Sequence, residues 1–181
     1  MKNQLNNILN NNKFVCVYTD VENTAKFIFG KIIAIDDEYF TISSFSPSGK
    51  SDGVIVKMIE DIIKIEFDGK YSEKMSKLIS QNNEDICIID HNNVVYSILY
   101  SSLKKKNVVS IELVKSGIED IIGVPVEITE NICEFLLIDE YGFCDGYAIF
   151  DIKDITQISV SSNDEKTLEE LLKRGSNQTN Y

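Results

Sequence analysis

Residues 51–67 read SDGVIVKMIEDIIKIEF, and residues 143–160 read FCDGYAIFDIKDITQISV. Both set Asp-Gly ahead of an apolar run and close on Asp-Ile-x-x-Ile-x-apolar. Gly53 and Gly146 lie 93 residues apart, and the same spacing aligns much of the rest. Lys13, Val15 and Val21 fall on Lys106, Val108 and Val114. Ile28, Gly30 and Ile35 fall on Ile121, Gly123 and Ile128. Gly49 and Asp52 meet Gly142 and Asp145, while Ile59, Asp61, Ile62 and Ile65 meet Ile152, Asp154, Ile155 and Ile158. Met75, Leu78 and Ile79 meet Leu168, Leu171 and Leu172. One gapless register that holds glycines, turn acids and periodic apolar positions together marks an internal duplication.

Each copy reads as mostly β. Residues 14–18 and 108–113 are short β-branched runs, followed by alternating apolar stretches at 26–35 and 121–128. Third strands at 39–45 and 132–138 follow the turns Asp36-Asp37-Glu38 and Thr129-Glu130-Asn131. Ser46 to Lys50 and Asp139 to Gly142 supply turn chemistry before a fourth strand, and a short fifth covers 62–67 or 155–160. The Asp-Gly pairs predict a tight turn or a bulge, where glycine takes dihedrals that other residues resist.

After each fifth strand the apolar period lengthens. Met75, Leu78 and Ile79 share one helical face, as do Leu168, Leu171 and Leu172, with Asn163 or Asp164 as the N-cap of the last helix. Gly175 is read as the stop of that helix, and 176–181 as a fraying tail. Leu5, Ile8 and Leu9 predict a short amphipathic helix before the first strand. In the join, 86–89 reads as a strand, and 94–103 fits either strand or helix. The expected organisation is a first domain over 1–82, a connecting segment over 83–106 and a second domain over 107–175.

The stretch from Gly30 to Ile42 resembles the first motif of Sm-like proteins: a Gly, apolar residues, an Asp, then a short turn into an apolar strand. Asp52-Gly53-Val54-Ile55-Val56 with Asp61-Ile62-x-x-Ile65 resembles the second. The resemblance covers 1–67 and, through the repeat, 94–160. It implies an α+β chain, mainly β with flanking helices, built as two tandem five-stranded Sm-like (SH3-like) barrels, each trailed by a short helix. In that family an Asn in the first turn and an Arg before the second glycine meet RNA. Here those places hold Tyr39-Phe40 and Ile132-Cys133, then Asp52 and Asp145. An acid where a cation would meet phosphate inverts the electrostatics, so the expectation is against nucleic acid.

Composition points the same way. The chain of 181 residues carries 18 Lys and Arg against 29 Asp and Glu, a net charge of -11. Such a surface repels phosphate backbones and anionic membranes and favours basic partners or simple solubility. No run of eighteen apolar residues occurs and the N-terminus lacks the pattern of a secretory signal, so the expected location is cytoplasmic, with no membrane. Cys16, Cys87, Cys133 and Cys144 are scattered without a Cys-x-x-Cys pair and are read as free thiols. With His91 the single histidine, no metal and no cofactor is expected. Asp36, Asp37 and Glu38 are read as an exposed turn, Asp61 and Asp154 as turn acids, and Lys104 to Lys106 as a solvated linker.

Nothing arranges Cys87 and His91 for nucleophilic catalysis, and no phosphate-cradling glycine loop occurs. The expectation is a non-enzymatic protein-binding module, such as an immunity protein or inhibitor of a basic, nucleic-acid-acting partner. Its surface would use Tyr39, Phe40, Tyr141 and Phe143 at loop tips with Asp52 and Asp145. The alternative is an Sm-like protein that binds nucleic acid or a nucleotide-like ligand.

Overall fold

The computed structural model describes residues 1–79, 90 and 92–178, so the strand read at 86–89, Cys87 and His91 lie outside the described residues. The chain divides into two compact units, Met1–Val95 and Tyr96–Tyr181, with the division inside the segment read as the join. The class is α+β, mainly antiparallel β with four helices among the described residues.

The first unit opens with helix α1 (Lys2–Asn10), whose apolar residues Leu5 and Ile8 are buried. Strands β1 (Phe14–Tyr18), β2 (Ile28–Ile35), β3 (Tyr39–Phe45), β4 (Ser51–Met58) and β5 (Lys64–Phe67) follow, then helix α2 (Lys70–Leu78). Their order across the sheet is β5-β1-β2-β3-β4. Strands β4 and β5 are therefore neighbours in sequence but opposite ends of the unit. Laid flat, four strand spacings would separate them by about 19 Å. The five residues 59–63 must bridge that gap while including a 3-10 turn at Ile59–Asp61, so the sheet curls. The Ile59 N–H donates to the Glu38 carbonyl at 2.7 Å and the Ile63 N–H to the Tyr18 carbonyl at 2.9 Å, tying the corner to the β2–β3 turn and to β1. Leu5, Ile8, Val15, Val17, Ile32, Ile35, Phe40, Ile42 and Ile62 fill the concave side. Beneath α2 a second cluster forms from Cys16, Tyr18, Phe29 and Met75 with surrounding Phe14, Phe27, Phe45 and Tyr71.

The expected pair of five-stranded barrels is corrected: in each unit the strands are arranged as open antiparallel sheet, not a closed barrel. None of the described pairings joins β4 to β5. The link between them is a 3-10 corner whose donors go to β1 and to the β2–β3 turn, where a hairpin would have zipped the two strands together. Lys64 and Glu66 on β5 also place charges along that edge.

The second unit repeats the plan. Helix α3 (Val94–Lys105) straddles the division and resolves the helix-or-strand question at 94–103 in favour of helix. Strands β6 (Val109–Leu113), β7 (Ile121–Ile128), β8 (Ile132–Ile138), β9 (Cys144–Asp151) and β10 (Ile155–Val160) order as β10-β6-β7-β8-β9, and helix α4 (Asn163–Gln178) closes the chain. A 3-10 turn at Ile152–Asp154 mirrors the first.

Within β2–β4 and β7–β9 the 93-residue spacing is reproduced pair by pair. Gly30 faces Ser44 as Gly123 faces Leu137, and Ser43 faces Val54 as Leu136 faces Tyr147. Both shared glycines are forced by close approach: a Cβ on Gly30 would lie 2.0 Å from the Ser43 carbonyl oxygen, and on Gly123 2.2 Å from that of Leu136. Gly53 and Gly146 sit at φ 79° and 86° opposite the register shifts of β3 and β8, so each Asp-Gly marks a bulge.

The gapless alignment fails at the first strand. Val15 faces Gly30, but Val109, not Val108, faces Gly123. The preceding helices follow the same shifted spacing, since the left-handed residues that end them are Asn12 and Lys106, 94 apart. A one-residue slip turns a strand over. The corrected register puts Ser110 where Cys16 stands and Ile111 where Val17 stands, keeping apolar residues on the concave face.

Two helix readings are also corrected. Helix α4 runs through Gly175 to Gln178, because a glycine inside a helix costs only about 1 kcal/mol relative to alanine. Its cap is Ser162 rather than Asn163 or Asp164. The Ser162 hydroxyl accepts from the Asp164 and Glu165 N–H groups, and the Glu165 carboxylate accepts from the Ser162 N–H at 2.8 Å. This Ser-x-x-Glu exchange satisfies donors that a helix start otherwise leaves bare.

Candidate functional site

The β8–β9 hairpin carries three of the residues singled out from the sequence. The Asp139 carboxylate accepts from the Tyr141 N–H at 3.0 Å and the Phe143 N–H at 2.8 Å, while the Gly142 N–H donates to the Asp139 carbonyl. That turn holds Tyr141 and Phe143 out into solvent, both more than half exposed. Asp145 is exposed at the start of β9.

Strand β9 extends the same surface. Ala148 and Phe150 face inward, with Phe150 5.3 Å from the Phe135 ring, and Tyr147 and Ile149 alternate outward at 65% and 69% exposure. Opposite them on β8 stand Leu136 and Glu134, and Ile132 lies exposed one pair further along. Sequence reasoning missed Tyr147, Ile149 and Ile132. In Asp-Gly-Tyr-Ala-Ile-Phe both faces are apolar, so alternation cannot say which one meets water.

The surroundings are acidic. From residue 121 to 154 the acids are Glu127, Glu130, Glu134, Asp139, Glu140, Asp145, Asp151 and Asp154, against Lys153 as the one base. Lys153 lies 2.9 Å from Asp151, which together with Asp154 raises the lysine's pKa, so the one base of the segment is engaged by two of its acids.

The other proposed contact residues are placed differently. Tyr39 and Phe40 are not at a loop tip: they begin β3 and are buried, with Phe40 wholly inside the concave core. The physical reason is the strand register. Phe40 faces Ile35 across the β2–β3 turn, which closes through the Asp36 side chain rather than through displayed aromatics. Asp36 accepts from the N–H groups of Glu38, Tyr39 and Val94, the last at 2.9 Å, so this acid fastens a turn and the start of α3. Burial, with Glu38, Asp36, Asp61 and Glu60 nearby, pushes the Tyr39 phenol up to about 12. Asp52 is half-buried at the start of β4, where the Ser44 hydroxyl donates to its carbonyl at 2.7 Å.

Burial pushes the Cys133 thiol up to about 11. Burial and then Glu66 do the same for Cys16, against an opposing pull from Lys64. Neither is a thiolate at neutral pH, and an inert thiol is a packing residue. Cys144, by contrast, is exposed on β9. Among the described residues no group of three or more His, Cys, Asp or Glu could hold a metal ion, and no helix is long and apolar enough to cross a membrane.

Known family models, characterised proteins and solved structures contain no match to the chain.

Proposed function

We propose that the chain is a non-enzymatic protein-binding module whose second unit presents an acid-rimmed aromatic surface to a basic protein. The observation that carries this reading is the β8–β9 hairpin: Tyr141, Phe143, Tyr147 and Ile149 stand exposed amid a segment with eight acids and one base. Contiguous exposed apolar residues rimmed by one sign of charge are costly on a free surface and favourable against a complementary one. Aromatic side chains supply affinity at such sites, and the charge accelerates encounter.

An immunity-type inhibitor of a nucleic-acid-acting protein fits this chemistry. Such a partner needs a basic face for its own substrate, and an acidic cover would compete for it. The chain's resemblance to Sm-like proteins belongs to the same proposal at the level of strand plan, with the family's RNA-contacting positions replaced by Asp52 and Asp145.

The test uses the full chain and a Tyr141→Ser/Phe143→Ser variant as baits in extract of the native host. Any captured protein is then purified and its binding measured over a salt series. The expected result is a basic partner lost with the variant and weakened steeply by salt. Salt-insensitive binding, or anisotropy showing that short RNA oligomers bind the wild-type chain at low salt, would overturn the reading.

A further inference from the structure

Strand for strand, equivalent positions of the two units differ in exposure. In the first unit β5 is an end strand that exposes Phe67, at 47%, and Ile63 just before it is exposed too. Their counterparts 93 residues on, Thr156 and Val160 of β10, are buried. In the second unit β9 is an end strand and exposes Ile149, whereas its counterpart Val56 of β4 is wholly buried. So equivalent apolar positions on the fourth and fifth strands are buried in one unit and exposed in the other.

We propose that a second copy of this chain covers them: β5 of one copy docks on β9 of the next, head to tail. The backbone argument is that both strands have one ladder partner among the described pairings and a second row of N–H and C=O groups left over. The side-chain argument is that Ile63 and Phe67 on one edge and Tyr147 and Ile149 on the other are apolar positions whose repeat equivalents are shielded or half-shielded from water.

Charge selects the pairing. From 64 to 78 the chain carries Lys64, Lys70, Lys74 and Lys77 against Glu66, Asp68 and Glu73, whereas β9 carries Asp145 and Asp151 and no base. A symmetric β9-to-β9 contact would set acid against acid, and like charges across strands are destabilising. A head-to-tail contact joins different surfaces, so it propagates into a ring or a filament unless an end is blocked. This inference shares Tyr147 and Ile149 with the partner surface proposed above but needs no basic partner, and its test reads self-association alone.

Sedimentation velocity on the full chain and two variants decides it. Ile149→Lys blocks the β9 edge, and Phe67→Glu places an acid on the β5 edge; circular dichroism melting checks that both stay folded. Wild type is expected to form multiples of 20.5 kDa that grow with concentration. Each variant alone is expected to stay monomeric. An equimolar mixture of the two should stop at a dimer, because one supplies an intact β5 and the other an intact β9. A wild type that is monomeric at every concentration overturns the proposal. So does a Phe67→Glu variant that still dimerises, the signature of a symmetric contact, and so does a folded mixture that remains monomeric.

Discussion

Beneath their trailing helices the two units pack the same backbone in two chemical styles. In the first, α2 covers an aromatic box: Phe14 stacks on Phe29 at 5.5 Å, and Tyr71 meets Phe27 and Phe29 edge-on near 5 Å. In the second, α4 covers β6 with a buried carboxylate. Glu165 accepts from the Ser110 hydroxyl at 2.7 Å with one oxygen and from the Ser162 N–H with the other. Ser110 stands where Cys16 stands, and Glu165 where Ser72 stands. Backbone crossings are kept because no side chain can be traded there. Surfaces under a helix are free to exchange one satisfied set of contacts for another.

The sharpest way to break that contrast is to attack what the units share. Gly30→Ala and Gly123→Ala each drive a Cβ into a carbonyl oxygen of the neighbouring strand, and backbone cannot yield as a side-chain tip does. Each should cost roughly 3 kcal/mol or more, enough to unfold its unit in a marginally stable domain. Urea unfolding followed by circular dichroism reads this. A midpoint unchanged in either variant would mean that the close crossing is not what fixes these glycines.

That same crossing explains how much the sequence disclosed. Gly30 and Gly123, the Asp-Gly bulges and the turn acids are local necessities, so the duplication and the strand count could be read from letters alone. Register at the first strand could not. Val15-Cys16 and Val108-Val109 offer two alignments that both match a valine, and only the ladder to Gly30 and Gly123 separates them. Closure was equally hidden, because it depends on where the donors of Ile59 and Ile63 go, not on strand composition. At the candidate surface, Tyr141 and Phe143 were legible because a Gly-containing turn flanks them. Tyr39 and Phe40 misled because an acidic turn precedes them too, but they stand inside β3 rather than in the turn, and Phe40 enters the concave core.

A titration should distinguish the two packing styles by a smaller margin. Among the described residues of the first unit, Cys16 is raised from 9.0 to about 11, and Tyr18 and Tyr39 from 10.0 to about 12, burial being the largest cause each time. Among the described residues of the second unit Cys133 alone is raised that far, also to about 11. All four are neutral at pH 7 and harder to ionise folded than unfolded. Their contribution is therefore whole below pH 9 for the thiols and 10 for the phenols, and is lost as pH climbs through the folded values. For Cys16, Tyr39 and Cys133 two pKa steps correspond to at most about 3 kcal/mol each, less where water screens the charge. The urea midpoint should fall from pH 9 to 11. A Cys16→Val/Tyr39→Phe variant should flatten that fall more than Cys133→Val does. Equal flattening would mean that the units are alike in alkaline sensitivity.

The smallest expected change tests the contrast at β9. Val56 and Ile149 occupy the same place in the repeat, yet one is wholly buried and the other 69% exposed. A lysine at Ile149 keeps its charge in water and sits among acids, so Ile149→Lys should move stability by less than about 0.5 kcal/mol. At Val56 the same residue would strand a charge in the core and cost several kcal/mol. Thermal melts of dilute protein, where no association contributes, compare the two directly. If Ile149→Lys destabilised the chain as much as Val56→Lys, the outward face of β9 would be part of the folded core. The surface assigned to a partner would then not exist.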